Sequence, residues 1–302
     1  MEGFFSDAPW AQQSRAHEGI KLMHQTKLLS NDLLLLFTRK YGNQFEPTFS
    51  PVAAHRYKYL FIHHLKYTSK TAFSFNTINA MDVFKNQRTG KTFSRITSGG
   101  RVEIKKGKWY YTLNSYLQYG HNPQGKNLFA YYIQPEIRFN ARKSTIRLGA
   151  EILSGSGPRV SPNQSGDFDV LYGVAWKFMG NMNVFTRFPA DLAGKGLINP
   201  YMFLLFPLNK RISIRSDFHL FFTRYHLLND IGELQKKFIG VESDFSLRDI
   251  PSKNLEINYG FSFLKSSSSM KYLPKIYNEK KLAVWSYLMV SCPLNILHLK
   301  QK

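Results

Sequence analysis

Residues 101–120 read RVEIKKGKWYYTLNSYLQYG. Val102 and Ile104 alternate with Arg101, Glu103 and Lys105, the period of two that a β-strand imposes on its side chains. Lys105, Lys106, Gly107 and Lys108 form a polar turn. Beyond it Trp109, Tyr111, Leu113, Leu117 and Tyr119 share one face, and Tyr110, Thr112, Asn114, Tyr116 and Gln118 share the other. The stretch reads as a hairpin with one apolar, aromatic-ended face and one polar face. A soluble sandwich would bury such an apolar face in a core, and a membrane barrel would turn it to lipid. The hairpin therefore establishes strands before it establishes their surroundings.

Composition narrows those surroundings. The chain has 302 residues, is 43% hydrophobic and has a mean hydropathy of -0.32. Its longest apolar runs, such as Leu33 to Phe37 and Tyr201 to Phe206, fall far short of the roughly 20 residues of a membrane helix. A transmembrane strand needs only about 9–11 residues with one apolar face, so a membrane barrel is compatible with so mild a hydropathy. Lys and Arg number 41 against 20 Asp and Glu, a formal charge of +21. That balance points to a polyanionic partner or surface: nucleic acid, lipopolysaccharide or acidic polysaccharide. Aromatics reach 15%, suited to strands and to the headgroup level of a membrane. Cys292 stands alone, so neither a disulfide framework nor a thiolate metal cluster is expected.

The alternation of the hairpin recurs along the chain. Candidate strands lie at Ile20 to Leu22, Leu33 to Lys40, Tyr57 to Tyr67, Phe73 to Val83 and Ile96 to Ile104. They continue at Trp109 to Tyr119, Phe129 to Phe139, Ile146 to Ile152, Leu197 to Leu208, Ile212 to Phe222, Ile239 to Leu247, Leu255 to Phe263 and Leu282 to Cys292, about 13 in all. In the third strand Leu60 and Ile62 break the pattern, falling on the face of Lys58 and His64. Pro135 cannot donate to a ladder, so its strand should be distorted there. Short turns at 68–70, 105–108, 140–144, 207–211 and 250–253 alternate with connections at 86–91, 121–126, 154–196, 224–236 and 265–281, which are mostly longer. Tight turns at one end and longer loops at the other are the layout of an outer-membrane barrel. The fold class expected is all-β, an antiparallel transmembrane β-barrel, with residues 1–302 as one domain and 154–196 as a long extracellular loop. An odd count that begins on the outer side implies further strands upstream. The first 15 residues lack the basic and apolar segments of a secretory signal, in keeping with that expectation.

Leu148-Gly149-Ala150-Glu151-Ile152-Leu153-Ser154-Gly155, Phe168-Asp169-Val170-Leu171-Tyr172-Gly173, Lys177-Phe178-Met179-Gly180 and Met182-Asn183-Val184-Phe185 resemble segments of the alginate export family of outer-membrane barrels. Arg15 to Lys21 and Trp285 to Pro293 are similar to an earlier segment and to the last strand of that family. Trp176 and Asn183 depart from it, standing where His and Asp are usual, and the C-terminus does not end on an aromatic residue. The resemblance implies a passive outer-membrane channel whose complete barrel has about 18 strands. It also implies lipid, lipopolysaccharide and the barrel-assembly machinery as partners.

If the apolar faces meet lipid, the polar faces line a pore. Parity places Arg56, Lys58, Arg95, Arg101, Arg138, Arg147, Arg211, Arg215 and Arg248 on that face, and of these Lys58, Arg95, Arg101, Arg138, Arg147, Arg215 and Arg248 are the candidate pore-lining residues. Guanidinium groups hold carboxylates bidentately and stay charged, so such a pore would favour small anions or anionic saccharides. Glu103, Glu136, Glu151, Asp217, Glu242, Asp244 and Glu256 share the face, so bracing of the wall by ion pairs is an equal alternative. The 154–196 connection is long enough to enter the barrel mouth as a constriction, or to stay outside it. His63 and His64 point to opposite faces of a strand and cannot chelate together, so no metal and no cofactor is expected. No serine, histidine and carboxylate spacing marks a catalytic set, and an enzyme is not expected. A soluble nucleic-acid-binding β protein would carry rings and cations on one face. Here they mostly segregate, which leaves a channel as the leading expectation, with that soluble protein as the runner-up and a non-conducting structural barrel as the third alternative.

Overall fold

The computed structural model describes residues 17–38, 57–69, 72–86, 89–158, 160–171, 180–185, 188–274 and 282–292. The strands are β1 (Glu18–Gln25), β2 (Leu29–Phe37), β3 (Tyr59–Thr68), β4 (Phe73–Lys85), β5 (Thr92–Lys106), β6 (Trp109–His121) and β7 (Asn127–Asn140). They continue as β8 (Thr145–Leu153), β9 (Gln164–Ser165), β10 (Leu197–Pro207), β11 (Ile212–Thr223), β12 (Phe238–Ser252), β13 (Leu255–Ser266) and β14 (Leu282–Ser291). All 14 belong to one sheet, and along its path each strand pairs antiparallel with the next in sequence. The two-residue β9 lies off that path, paired in parallel with the start of β7, so the path consists of the strands read from the alternation. Among the described residues no pairing joins β14 to β1.

The opening hairpin is β5 and β6, with Lys106 opposite Trp109. Its turn is therefore Gly107 and Lys108 alone, and Lys105 and Lys106 extend the strand rather than turning it. At Pro135 the β6 ladder is unbroken, whereas the β7–β8 ladder runs from Ile133–Ile152 to Glu136–Gly149 with no pairs between. The register is the same on both sides of the gap, so the proline costs pairing without a bulge.

The two faces of the sheet differ as the alternation requires. Leu113, Leu117, Tyr119, Phe129, Ile137, Leu148, Leu220, Tyr259 and Leu288 are among many large apolar side chains left exposed on one face. A contiguous surface of that kind is stable only against an apolar phase. The other, inner face is divided along the strands. Near the long connections it is filled by Leu36, Leu60, Ile62, Ile78, Ala80, Tyr116, Leu128, Leu153, Leu197, Phe221 and Leu264, packed with Phe168, Phe185 and Leu192 from 154–196. Near the tight turns it is open and charged. Leu60 and Ile62, the exceptions in the alternation of β3, are thereby explained, because they face inward into the filled half. Tyr57, expected on the apolar outer face, is instead buried and within 2.6 Å of His17 Nδ1 through its hydroxyl. It precedes the start of β3, so strand parity does not govern it.

Candidate functional site

The open half of the inner wall gathers most of the candidate residues. Arg101 on β5 bonds Glu103 at 2.5 Å, and Arg147 on β8 grips Glu136 of β7 through Nε at 3.0 Å and Nη2 at 2.6 Å. Arg215 on β11 pairs with Asp217 at 2.6 Å, and Arg248 on β12 pairs with Glu256 of β13 at 2.6 Å. Arg211, in the turn before β11, pairs with Asp249. Arg138, opposite Arg147 in the β7–β8 register, is different. It lies 4.1 Å from the centre of the Tyr110 ring, and its Nε is enclosed with no hydrogen-bond partner. Lys58 sits at the start of β3 with its ammonium 5.2 Å from the Tyr59 ring. Arg56 lies outside the described residues.

Aromatic rings are built into this charged strip. Phe203 of β10 lies between the guanidiniums of Arg147 and Arg215, 4.9 and 5.3 Å from its ring centre, and stacks on Tyr201 at 4.6 Å. Tyr201 can occupy its position because residue 149 has no side chain. A Cβ there would lie 2.5 Å from the Tyr201 hydroxyl. That hydroxyl donates to Glu136 at 2.8 Å and accepts from Gln134 Nε2 at 3.0 Å, while Gln134 accepts from Asn114 at 2.6 Å. One step deeper, Glu151 accepts from the Tyr132 hydroxyl at 3.1 Å and from Asn199 at 2.8 Å, and His219 bonds Asn199 at 3.1 Å. Side chains of β6, β7, β8, β10 and β11 thus form a cross-strand polar network.

The 154–196 segment folds onto the inner wall and defines its covered half. It leaves β8 through Ser154, whose hydroxyl accepts from Tyr131 N at 2.8 Å and donates to Gly166 O at 2.7 Å. It then crosses β7 to reach β5 and β6. There Asp169 Oδ2 takes Arg95 Nη1 at 2.8 Å, and Gln118 bonds both the N–H and the C=O of Asp169, at 2.9 and 2.7 Å. Arg95 is also held bidentately by Asp82 at 3.1 and 2.6 Å, and its side chain is only 4% exposed. Farther along, the N–H groups of Asn181 and Met182 donate to Asp244 and Glu242 on β12 at 3.2 and 2.7 Å. Phe185 meets Phe221 of β11 edge to face at 5.2 Å. The segment therefore makes contact with the wall from β5 to β12.

Apart from Lys58, which lies at the other end of β3 from its tight turn, the candidate residues divide into two groups. Arg95 belongs to the anchor beneath the inward segment, where it is buried among carboxylates. Arg101, Arg138, Arg147, Arg215 and Arg248 belong to the open strip, with the Arg215 side chain 50% exposed. Asp169, Gln118, Tyr201 and Phe203 carry much of the geometry without having been singled out as site residues. Their strand or loop position was legible, but most of their polar partners are distant along the chain, 74 residues in the case of Asp169 and Arg95. His63 and His64 face opposite sides: His63 bonds Asn31 at 2.9 Å, and His64 lies 3.6 Å from Asp32. The family segments at Arg15-Ala16, Tyr172-Gly173 and Lys177 to Met179 lie outside the described residues.

No protein-family model matches the chain, and no curated protein does. Among solved structures it is similar to Pseudomonas aeruginosa OccK5 (OpdH), an outer-membrane porin, with a TM-score of 0.53 and 11% identity over 91% of this chain and 71% of that one. It also aligns with the NanC porin at a TM-score of 0.38 and 11% identity, over 80% of this chain and 96% of that one. With the pairing order and the apolar outer face, the likeness to OccK5 shows the fold: this chain forms the antiparallel wall of a transmembrane β-barrel.

Proposed function

We propose that the chain is a passive outer-membrane channel through which anionic solutes diffuse, without a catalytic step. The observation that carries this reading is the open half of the inner wall, where Arg101, Arg138, Arg147, Arg215 and Arg248 form one strip and three of them, Arg138, Arg147 and Arg215, lie against the half-buried rings of Tyr110 and Phe203. Guanidinium and ring side by side match a solute that combines a carboxylate with a flat or ring-shaped body. The finer assignment is acidic polysaccharide of the alginate kind. It rests on the sequence resemblance and on the charge of +21. The apolar outer face would meet lipid and its external rim lipopolysaccharide, and the barrel-assembly machinery would insert it. Nucleic acid does not fit a protein whose cations face inward.

The packed half of the wall supports a second reading, a structural barrel that does not conduct, because Phe168, Phe185 and Leu192 fill the inner face there. Planar-bilayer conductance of the inserted protein, with and without oligouronate, separates the two. Discrete channels that oligouronate blocks support the anion channel. A folded, inserted protein without conductance establishes the structural barrel. In a salt gradient Arg101→Ser with Arg147→Ser should lower the preference for anions, and an unchanged reversal potential refutes a role for that pair.

A further inference from the structure

Where the inward segment meets β12, four buried oxygen atoms lack hydrogen-bond partners: Glu242 Oε2, Asp244 Oδ1, Ser262 Oγ and Asn183 Oδ1. They come from three elements that the fold brings together. Asp244 is the register partner of Ser262 on β13, and Asn183 follows Met182, whose N–H donates to Glu242 at 2.7 Å. Glu242 is 0% exposed, Asp244 3% and Ser262 1%. The segment can approach so closely because residue 180 is glycine at a φ of +83, with no Cβ to strike the Glu242 carboxylate.

Burial of this kind calls for a partner. An enclosed carboxylate oxygen without a donor is strongly disfavoured, and an ion is one of the few things that explain a group of them. No ion pair to a cationic side chain reaches Glu242 or Asp244 among the described residues, and Arg215, the nearest by register, is engaged with Asp217 across from Asp244. The backbone amides of Asn181 and Met182 occupy Asp244 Oδ2 and Glu242 Oε1. They fix the orientation of each carboxylate and leave Oδ1 and Oε2 as the unengaged atoms, as outer-shell donors do around a metal ligand. Two carboxylates, an amide oxygen and a hydroxyl are a hard, all-oxygen donor set. No group of three or more His, Cys, Asp or Glu side chains suited to a metal occurs among the described residues. Because the four oxygens named here include no imidazole or thiolate, a softer transition metal is not what this junction offers, and a calcium-type ion, which accepts neutral oxygens, is.

We propose that the junction binds one hard divalent cation through Glu242 Oε2 and Asp244 Oδ1, with Asn183 Oδ1 and Ser262 Oγ as neutral ligands, and that the ion pins the inward segment to β12. The proposal concerns the folded chain alone and holds whether or not the barrel conducts. Calcium is the probe. The full-length protein, folded in detergent micelles and freed of metal with a chelator, should bind one calcium ion by equilibrium dialysis. Calcium should also slow amide hydrogen exchange at Asn181 and Met182. Ser262→Ala should weaken binding about 10-fold, within the range seen for loss of a supporting group, and E242Q with D244N should abolish it. Gel mobility before and after heating verifies that each variant is folded. If the double variant does not fold, Ser262→Ala and Asn183→Ala carry the test. Absence of saturable binding to the folded wild type overturns the proposal, and would mean that the two carboxyls share a proton instead. Binding with unchanged affinity in all the variants that fold overturns it as well.

Discussion

Asp169→Asn tests how the inward segment is anchored at β5 and β6. The substitution keeps the shape of the side chain. It also keeps the two backbone bonds to Gln118, at 2.9 and 2.7 Å, and an Oδ1 acceptor for the N–H of Leu171, which lies at 2.8 Å. What it removes is the charge that meets Arg95 Nη1 at 2.8 Å. Because Asp82 still holds Arg95 at 3.1 and 2.6 Å, the guanidinium is not stranded, and the full cost of about 3–5 kcal/mol for breaking a buried pair does not apply. The loss is that of one charge-assisted hydrogen bond, about 1.5–3 kcal/mol before correction. Since the Asp169 side chain is 31% exposed, water replaces part of it, leaving about 1–2 kcal/mol, a roughly 5–30-fold shift in a local opening equilibrium. Amide hydrogen exchange of the folded protein reads this directly at the N–H groups of Asp169 and Leu171, which should exchange faster by that factor in the variant. Exchange at Asn181 and Met182, on the β12 anchor, should be unchanged. Unaltered exchange at 169 and 171 would refute the argument, and acceleration along the whole segment would show that its two anchors open as one unit.

Three further outcomes follow from the wall. Arg138 is the strip arginine with no carboxylate partner among the described residues, so Arg138→Gln should reduce the anion-to-cation permeability ratio. A unit charge about 7 Å from the ion path in water is worth about 0.6 kcal/mol, or roughly threefold, whereas removing a neutral pair with Arg101→Gln and Glu103→Gln should leave the reversal potential in place. Gly149→Val would put its Cβ 2.5 Å from the Tyr201 hydroxyl and 2.9 Å from Pro135 O, and should lower stability to urea in micelles by about 1–3 kcal/mol. Leu60→Ala, at a side chain 0% exposed on the filled inner face, should cost about 2–5 kcal/mol in the same assay, whereas Leu113→Ala, on the outer face where detergent fills the space left behind, should cost about 1–2 kcal/mol of lost transfer from water.

Much of the wall was legible in advance because a strand is a local object with a fixed period. Alternation in β5 and β6 gave their faces, and the spacing of polar turns located the same strands that the pairing path contains. The exceptions were informative. Leu60 and Ile62 broke the alternation because the inner face beneath the long connections is apolar, and Tyr57 escaped it because it lies before the strand. Turn length was misjudged at 105–108, since lysines at the end of a strand look like turn residues until the register places Lys106 opposite Trp109. Parity put the arginines of the wall on one face, but it could not say which of them meets a carboxylate and which is left with a ring.

Sequence by itself determined that this chain makes antiparallel strands with an apolar face outward and cations inward, because side-chain direction in a strand depends only on position along it. Tertiary structure alone decided how the inner face is divided. The segment 154–196 has no period, and its course is set by partners distant in sequence: Arg95 and Gln118 for Asp169, and Glu242 and Asp244 for the amides of 181 and 182. Those contacts exist because sheet curvature and strand order bring β5 and β12 within reach of one loop, a geometry that no local pattern encodes.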